Sequence, residues 1–84
     1  MPNVYFAKSI EKDWVKIDES MKLIIKEKIV QLEQFPNLSQ IKKLTRHPLA
    51  EYRLRVGDYR VLFDYDKPTN SIFILKIGHR KDVY

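Results

Sequence analysis

Residues 52–65 read YRLRVGDYRVLFDY, which is two alternating β-prone runs separated by Gly57 and Asp58. This spacing predicts a β-hairpin with a two-residue turn, in which glycine supplies the positive φ that such turns need. Because successive strand residues point to opposite sides of a sheet, the turn also fixes which side chains share a face.

Three arginines of this hairpin share one predicted sheet face. The two-residue turn sets Arg55 opposite Arg60, and it sets Arg53 opposite Leu62. Like charges side by side repel, so the cluster lowers stability unless an anion neutralises it. We therefore interpret it as a surface for a polyanion, and we favour RNA. The opposite face is predicted to carry the apolar residues Tyr52, Leu54, Val56, Val61 and Phe63.

Apolar spacing predicts two helices before the hairpin. The first is preceded by Ser9 and ends near Lys16, presenting Trp14 to the core; the second begins after Asp18 and ends at Pro36. Residues between the second helix and the hairpin show no regular pattern. Strands are predicted at residues 4–6, 52–56, 59–66 and 71–77.

The order β-α-α-β-β-β indicates an α+β fold in a single domain over residues 1–84. We expect a small, antiparallel-rich sheet with a helical hairpin packed on one face. Residues 41–84 carry the whole net charge of +5, with ten Lys or Arg against five Asp or Glu. A one-sided charge of this kind suits phosphates or an acidic protein partner.

Composition excludes several classes of function. The chain has no cysteine and two histidines, so we expect neither a disulfide nor a metal site, and no cofactor. No apolar run reaches the ~18 residues of a membrane span, and the N-terminus lacks the apolar region of a signal peptide. These features predict a soluble, cytoplasmic protein without a membrane partner.

The hairpin and a second motif together resemble a known family. After one further strand, residues 77–84 read IGHRKDVY. The ordered pair of a Tyr-Arg hairpin and a Gly-His-Arg-x-x-Val-Tyr terminus is similar to the RelE/ParE superfamily of bacterial and archaeal toxins, and more specifically to its RelE branch. The resemblance covers the whole chain and implies the RelE-like fold.

Members of the RelE branch are ribosome-dependent mRNA endonucleases, which cleave the codon in the A site and so inhibit translation. The resemblance therefore implies the toxin of a type II toxin–antitoxin system, with the ribosome and mRNA as partners. It also implies a cognate antitoxin whose acidic segment wraps the toxin. Operator DNA would be contacted only through that antitoxin.

The resemblance also implies catalytic roles by position. Arg60 and Arg80 would contact the scissile phosphate and its transition state. Arg53 and Arg55 would bind flanking phosphates, and Tyr84 would stack on a base or orient the 2′-OH. The reaction would be a metal-independent transesterification, in which the 2′-OH attacks the adjacent phosphorus and leaves a 2′,3′-cyclic phosphate.

A general base is not evident, because arginine and tyrosine are poor bases at neutral pH. Histidine suits proton transfer, but a strand-like segment would turn His79 away from its neighbour Arg80. Its role is left open between catalysis and surface placement. Further candidates for binding RNA or the ribosome are Lys42, Lys43, Arg46, Lys76, His79 and Lys81.

Three other functions remain open at this point. The chain resembles the ParE branch in fold, and that branch poisons DNA gyrase. It could instead be an inactive, basic toxin-fold module that acts only through antitoxin or nucleic-acid binding. The third alternative is binding of free RNA without cleavage. The arginine-rich face and the Arg80–Tyr84 terminus favour the RelE branch.

Overall fold

A computed structural model describes residues 2–35 and 41–83 of the chain. It contains a five-stranded mixed sheet with helices on one face, which confirms the predicted α+β class. The strands lie in the order β1-β5-β4-β3-β2, and β1 and β5 are the parallel pair. They are β1 (Asn3–Phe6), β2 (Ile41–Lys43), β3 (Tyr52–Val56), β4 (Tyr59–Asp66) and β5 (Ser71–His79).

The predicted helical hairpin consists of α1 (Ile10–Val15) and α2 (Glu19–Val30). The second helix ends earlier than predicted, because Gln31–Gln34 continue as a 3₁₀ turn. A short helix that the sequence analysis did not predict, α3 (Arg80–Val83), follows β5. No helix in the described residues is long and apolar enough to cross a bilayer. The predicted stop at Pro36 lies outside them.

The sheet has one strand more than the predicted β-α-α-β-β-β order, which was wrong between the second helix and the hairpin. The additional strand, β2, pairs antiparallel with β3, and Lys42 lies opposite Arg53. Its three residues are too few to show an alternating pattern. The strand therefore owes its conformation to the ladder with β3, which is a tertiary contact that local sequence does not encode.

The β3–β4 hairpin has the predicted register. Arg55 is the cross-strand partner of Arg60, and Arg53 is the partner of Leu62. Gly57 has a φ of 60°, whereas the other residue of the turn is not in the positive-φ region. That combination is typical of a type II′ turn, which matches the twist of the strands on either side.

The main core lies between the helices and one sheet face. Its fully buried members contribute about 1.5–3 kcal/mol each. They include Ile25, Leu32, Leu54, Val61, Phe63, Ile72 and Ile74.

A smaller apolar cluster covers part of the opposite sheet face. Leu62 and Ala50 are buried together there, because the segment after β2 folds back over the sheet. The backbone N–H of Glu51 donates to Asp64 Oδ1 at 2.7 Å and holds this segment in place. The hairpin end of the same face carries the arginines.

Candidate functional site

The three hairpin arginines lie on the sheet face opposite the helices, as the alternation predicts. We call the surface formed by Arg53, Arg55 and Arg60 the arginine face. Arg55 and Arg60 are direct partners, and Arg53 lies diagonally across from Arg60. The Cα atoms of Arg53 and Arg55 therefore lie within about 8 Å of the Cα atom of Arg60.

The three side chains differ in exposure in a way that the sequence does not predict. Arg55 is exposed, Arg53 is half-buried and Arg60 is only 7% exposed. Arg60 Nη1 donates to the carbonyl oxygens of Gly57 at 2.9 Å and Tyr59 at 3.0 Å. One end of its guanidinium is therefore fixed against the hairpin turn.

Among the described residues, two buried donors on the arginine face have no acceptor. The Nε atoms of Arg53 and Arg60 have no hydrogen-bond partner within the described part of the chain. A buried donor without an acceptor costs about 1–3 kcal/mol, and native proteins contain few of them. Both donors belong to permanently charged groups, and because the Nε atoms are buried, an anion would reach them only if these side chains shift.

The C-terminal motif lies next to the arginine face. Gly78 is the cross-strand partner of Arg60. The backbone N–H of Arg80 donates to the carbonyl of Asp58 in the hairpin turn at 2.8 Å, and the Arg80 side chain is exposed. Tyr84 lies outside the described residues, so its role stays a prediction.

The candidate binding residues do not form one surface. Lys42 lies opposite Arg53 and extends the arginine face, whereas Lys43, one residue further along β2, lies on the other face. Arg46 and Lys81 are exposed, the first in the loop after β2 and the second in α3.

Lys76 and His79 belong to a different site, at the edge of β5 next to α1. Lys76 lies opposite Leu62, on the arginine side of the sheet, and its ammonium group reaches round this edge, whereas His79 lies opposite Tyr59 on the helical side. Lys76 Nζ lies 3.0 Å from Oδ1 of Asp13 in α1, and Oδ2 of the same carboxylate accepts the Ile77 N–H at 3.2 Å. The ring centroids of His79 and Tyr59 lie 5.5 Å apart. These residues line a cavity of about 420 Å³, which we call the polar pocket. Sequence reasoning missed Asp13, because its partners lie more than 60 residues away.

A larger cavity of about 620 Å³ lies between β1 and the two helices. We call it the apolar groove. Phe6 is 56% and Val30 62% exposed along it, and Trp14, predicted to be core, is only half-buried. Lys8 and Lys26 line the same groove, and Lys26 Nζ lies 5.6 Å from the centroid of the Trp14 ring.

Solved structures share this architecture over nearly the whole chain. The toxin–antitoxin complex RelBE2 from Mycobacterium tuberculosis is 27% identical with a TM-score of 0.80, over 95% of this chain and 100% of that one. The RelB–RelE complex from Methanococcus jannaschii is 29% identical with a TM-score of 0.75, over 94% and 93%. The RelE–RelB complex from Pyrococcus horikoshii is 26% identical with a TM-score of 0.77, over 96% and 97%.

The fold is therefore that of the RelE-like toxins. The sequence profile of a family described as the ParE toxin of the type II toxin–antitoxin system parDE matches residues 4–84. The chain belongs to this family, within the RelE/ParE toxin superfamily, which confirms the resemblance carried by the hairpin and the C-terminal motif. No curated protein matches the chain.

Proposed function

We propose that this chain is the toxin of a type II toxin–antitoxin pair and cleaves mRNA in the ribosomal A site. The observation that supports this most is the pair of buried Nε–H donors of Arg53 and Arg60, which have no acceptor in the part of the chain that the structure describes. An RNA phosphate carries the charge and the oxygens that these donors need, and a shift of the Arg53 and Arg60 side chains would bring the buried Nε atoms into its reach. Lys42 and the exposed Arg55 add further positive charge to the same surface.

The arginine face would act by positioning and by electrostatic stabilisation. When the 2′-OH attacks phosphorus, the bond to the 5′-oxygen breaks, and the products are a 2′,3′-cyclic phosphate and a 5′-hydroxyl. The transition state carries more negative charge than the substrate, so fixed cations lower its free energy more. Arg60 is suited to this task, because the turn carbonyls already hold its guanidinium in one orientation.

Proton transfer needs a different group. His79 packs against Tyr59 on the helical side, and Arg60 lies on the other side of the sheet. A base must reach the 2′-OH directly or through one water, so we do not assign this step to His79. Tyr84, water and ribosomal RNA are the remaining acceptors for the proton in this proposal.

A cognate antitoxin is the second proposed partner. The three solved relatives are complexes of a toxin with its antitoxin. The apolar groove exposes Phe6 and Val30 beside two lysines, Lys8 and Lys26, and one carboxylate, Glu11. That combination suits an amphipathic helix whose apolar face enters the groove and whose flanks carry Asp or Glu.

Cleavage of ribosome-bound mRNA tests the proposal directly. Primer extension should map new 5′-ends within codons when the chain is added to programmed ribosomes, and none on naked mRNA. Arg60→Ala should abolish cleavage, and Arg60→Gln, which keeps a donor for the turn carbonyls, should lose it with the hairpin retained. Lys67→Ala is the matched control, because this exposed lysine lies in the turn after β4. Wild-type cleavage by both Arg60 variants would contradict the proposal.

The ParE description of the matching family favours one alternative, inhibition of DNA gyrase. A supercoiling assay with purified gyrase separates the two functions. We expect supercoiling to continue at wild-type rate in the presence of the chain. Loss of supercoiling together with intact ribosome-bound mRNA would replace the nuclease proposal.

A further inference from the structure

The polar pocket lies at the edge of β5, next to the arginine face. Gly78 lines the pocket and is the cross-strand partner of Arg60. Among the described residues, β1 pairs only with Ser71–Ile74 of β5, so the last residues of β5 have no strand on that side. A polymer that passes around this end of β5 would run from the arginine face to the pocket.

The polar pocket carries a positive charge. Lys16 and Lys76 supply two ammonium groups, and Asp13 is the one carboxylate among the described lining residues. Each carboxylate oxygen already accepts one hydrogen bond, from Lys76 Nζ and from the Ile77 N–H. An ammonium group has three N–H donors, so the contact with Asp13 leaves Lys76 able to bind a ligand.

Two rings form a wall of the same pocket. The planes of Tyr59 and His79 meet at 75°. Nδ1 of His79 accepts the Lys81 N–H at 3.3 Å, so the neutral imidazole carries its proton on Nε2. Ring surfaces and a donor beside ammonium groups are the features that bind the bases and phosphates of single-stranded RNA.

We propose that the polar pocket binds a nucleotide of the mRNA next to the one held on the arginine face. Its phosphate contacts Lys16 and Lys76, and its base packs against Tyr59 and His79. The volume of about 420 Å³ falls in the range of small-ligand sites, about 300–1,000 Å³. The inference rests on the proposed function, since the occupant is the same RNA strand.

The test uses a 2′-O-methyl oligoribonucleotide, which cannot be cleaved because it lacks the nucleophile. Its affinity for the full chain should fall about tenfold in Lys16→Ala, the loss expected of one charge-assisted phosphate contact. The slope of log affinity against log salt should also fall by about 0.7. Lys16→Arg should restore both values. Lys12→Ala is the matched control, an exposed lysine of α1 that does not line the pocket.

Equal losses in Lys16→Ala and Lys12→Ala would overturn the inference. Inorganic phosphate provides a second arm, followed by the NMR signals of Lys16 and His79. Signals that shift with phosphate but not with the oligonucleotide would identify an adventitious ion only and would also overturn it. Neither readout depends on cleavage. Failure to cleave ribosome-bound mRNA would therefore contradict the proposed function without changing the measured affinity of the pocket for the oligonucleotide.

Discussion

The two faces of the β3–β4 hairpin differ in how well their buried groups are satisfied by neighbouring residues. On the helical side, the Phe35 ring packs edge-on at 5.1 Å from Tyr52 and 5.7 Å from Phe63. On the other side, the buried Nε atoms of Arg53 and Arg60 have no acceptor among residues 2–35 and 41–83. Because side chains alternate along each strand, the same two strands build both faces. Stability is therefore concentrated on one face, and it offsets the cost of keeping the other ready for a ligand.

The largest expected effect is on the helical side. Phe63 is fully buried, so Phe63→Ala should lower the free energy of unfolding by about 3–5 kcal/mol. Phe73→Ala is the control, because this ring is 39% exposed and stacks on Tyr5, a pair worth about 0.5–1.5 kcal/mol. Urea unfolding followed by circular dichroism measures both. Equal losses would contradict the assignment of stability to the helical side.

Asp13 sharpens the contrast, because it is a buried polar group whose partners are present. Asp13→Ala removes the acceptor of the Ile77 N–H and the partner of Lys76, so it should cost about 1–3 kcal/mol. Asp13→Asn keeps one acceptor oxygen and should lose less. The order of the two urea midpoints checks this, and a reversed order would refute the role of the Asp13 carboxylate.

Arg53 should respond in the opposite direction. Arg53→Met removes the unpaired Nε–H and keeps an apolar stem of similar length. The free energy of unfolding should therefore rise by about 1 kcal/mol. Arg55→Met is the control, since Arg55 is exposed and its replacement should stay within about 0.5 kcal/mol of the wild type. A destabilised Arg53→Met variant would mean that the Nε–H is satisfied in solution.

The smallest effect on stability is expected in the apolar groove. Val30 is 62% exposed, so Val30→Glu should change the free energy of unfolding by less than about 0.5 kcal/mol. It should nevertheless weaken antitoxin binding, because it buries a carboxylate in an apolar contact. Val15→Glu, on an exposed residue outside the groove, is the matched control. Calorimetry with the antitoxin should separate the two variants; equal affinities would exclude the groove as its binding site.

The sequence predicted the hairpin because its information is local. Gly57 and the two-residue spacing determine the register, and the register determines that the arginines share a face. The strand Ile41–Lys43 was missed, since its pairing with β3 is a tertiary contact. The prediction that a strand-like segment turns His79 away from Arg80 is not tested, because Arg80 begins α3; His79 itself packs against Tyr59.

The burial of the arginines was beyond local prediction. Alternation indicates a face, but the exposure of Arg60 depends on how the turn and its neighbours pack around the guanidinium. The polar pocket was also missed as a site, because Asp13 meets Lys76 only through the tertiary fold. Chemistry that arises from residues close in the chain was predicted, and chemistry assembled across the fold was not.

The rate at which Arg53→Met cleaves ribosome-bound mRNA is the most direct test of an arginine face held ready for phosphate. The variant should be at least as stable as the wild type, so a loss of activity cannot be attributed to unfolding. We expect the cleavage rate to fall by about 100-fold, as for the loss of one fixed donor to a transition-state anion. Cleavage at the wild-type rate would show that the unpaired arginine nitrogen does not contact the RNA.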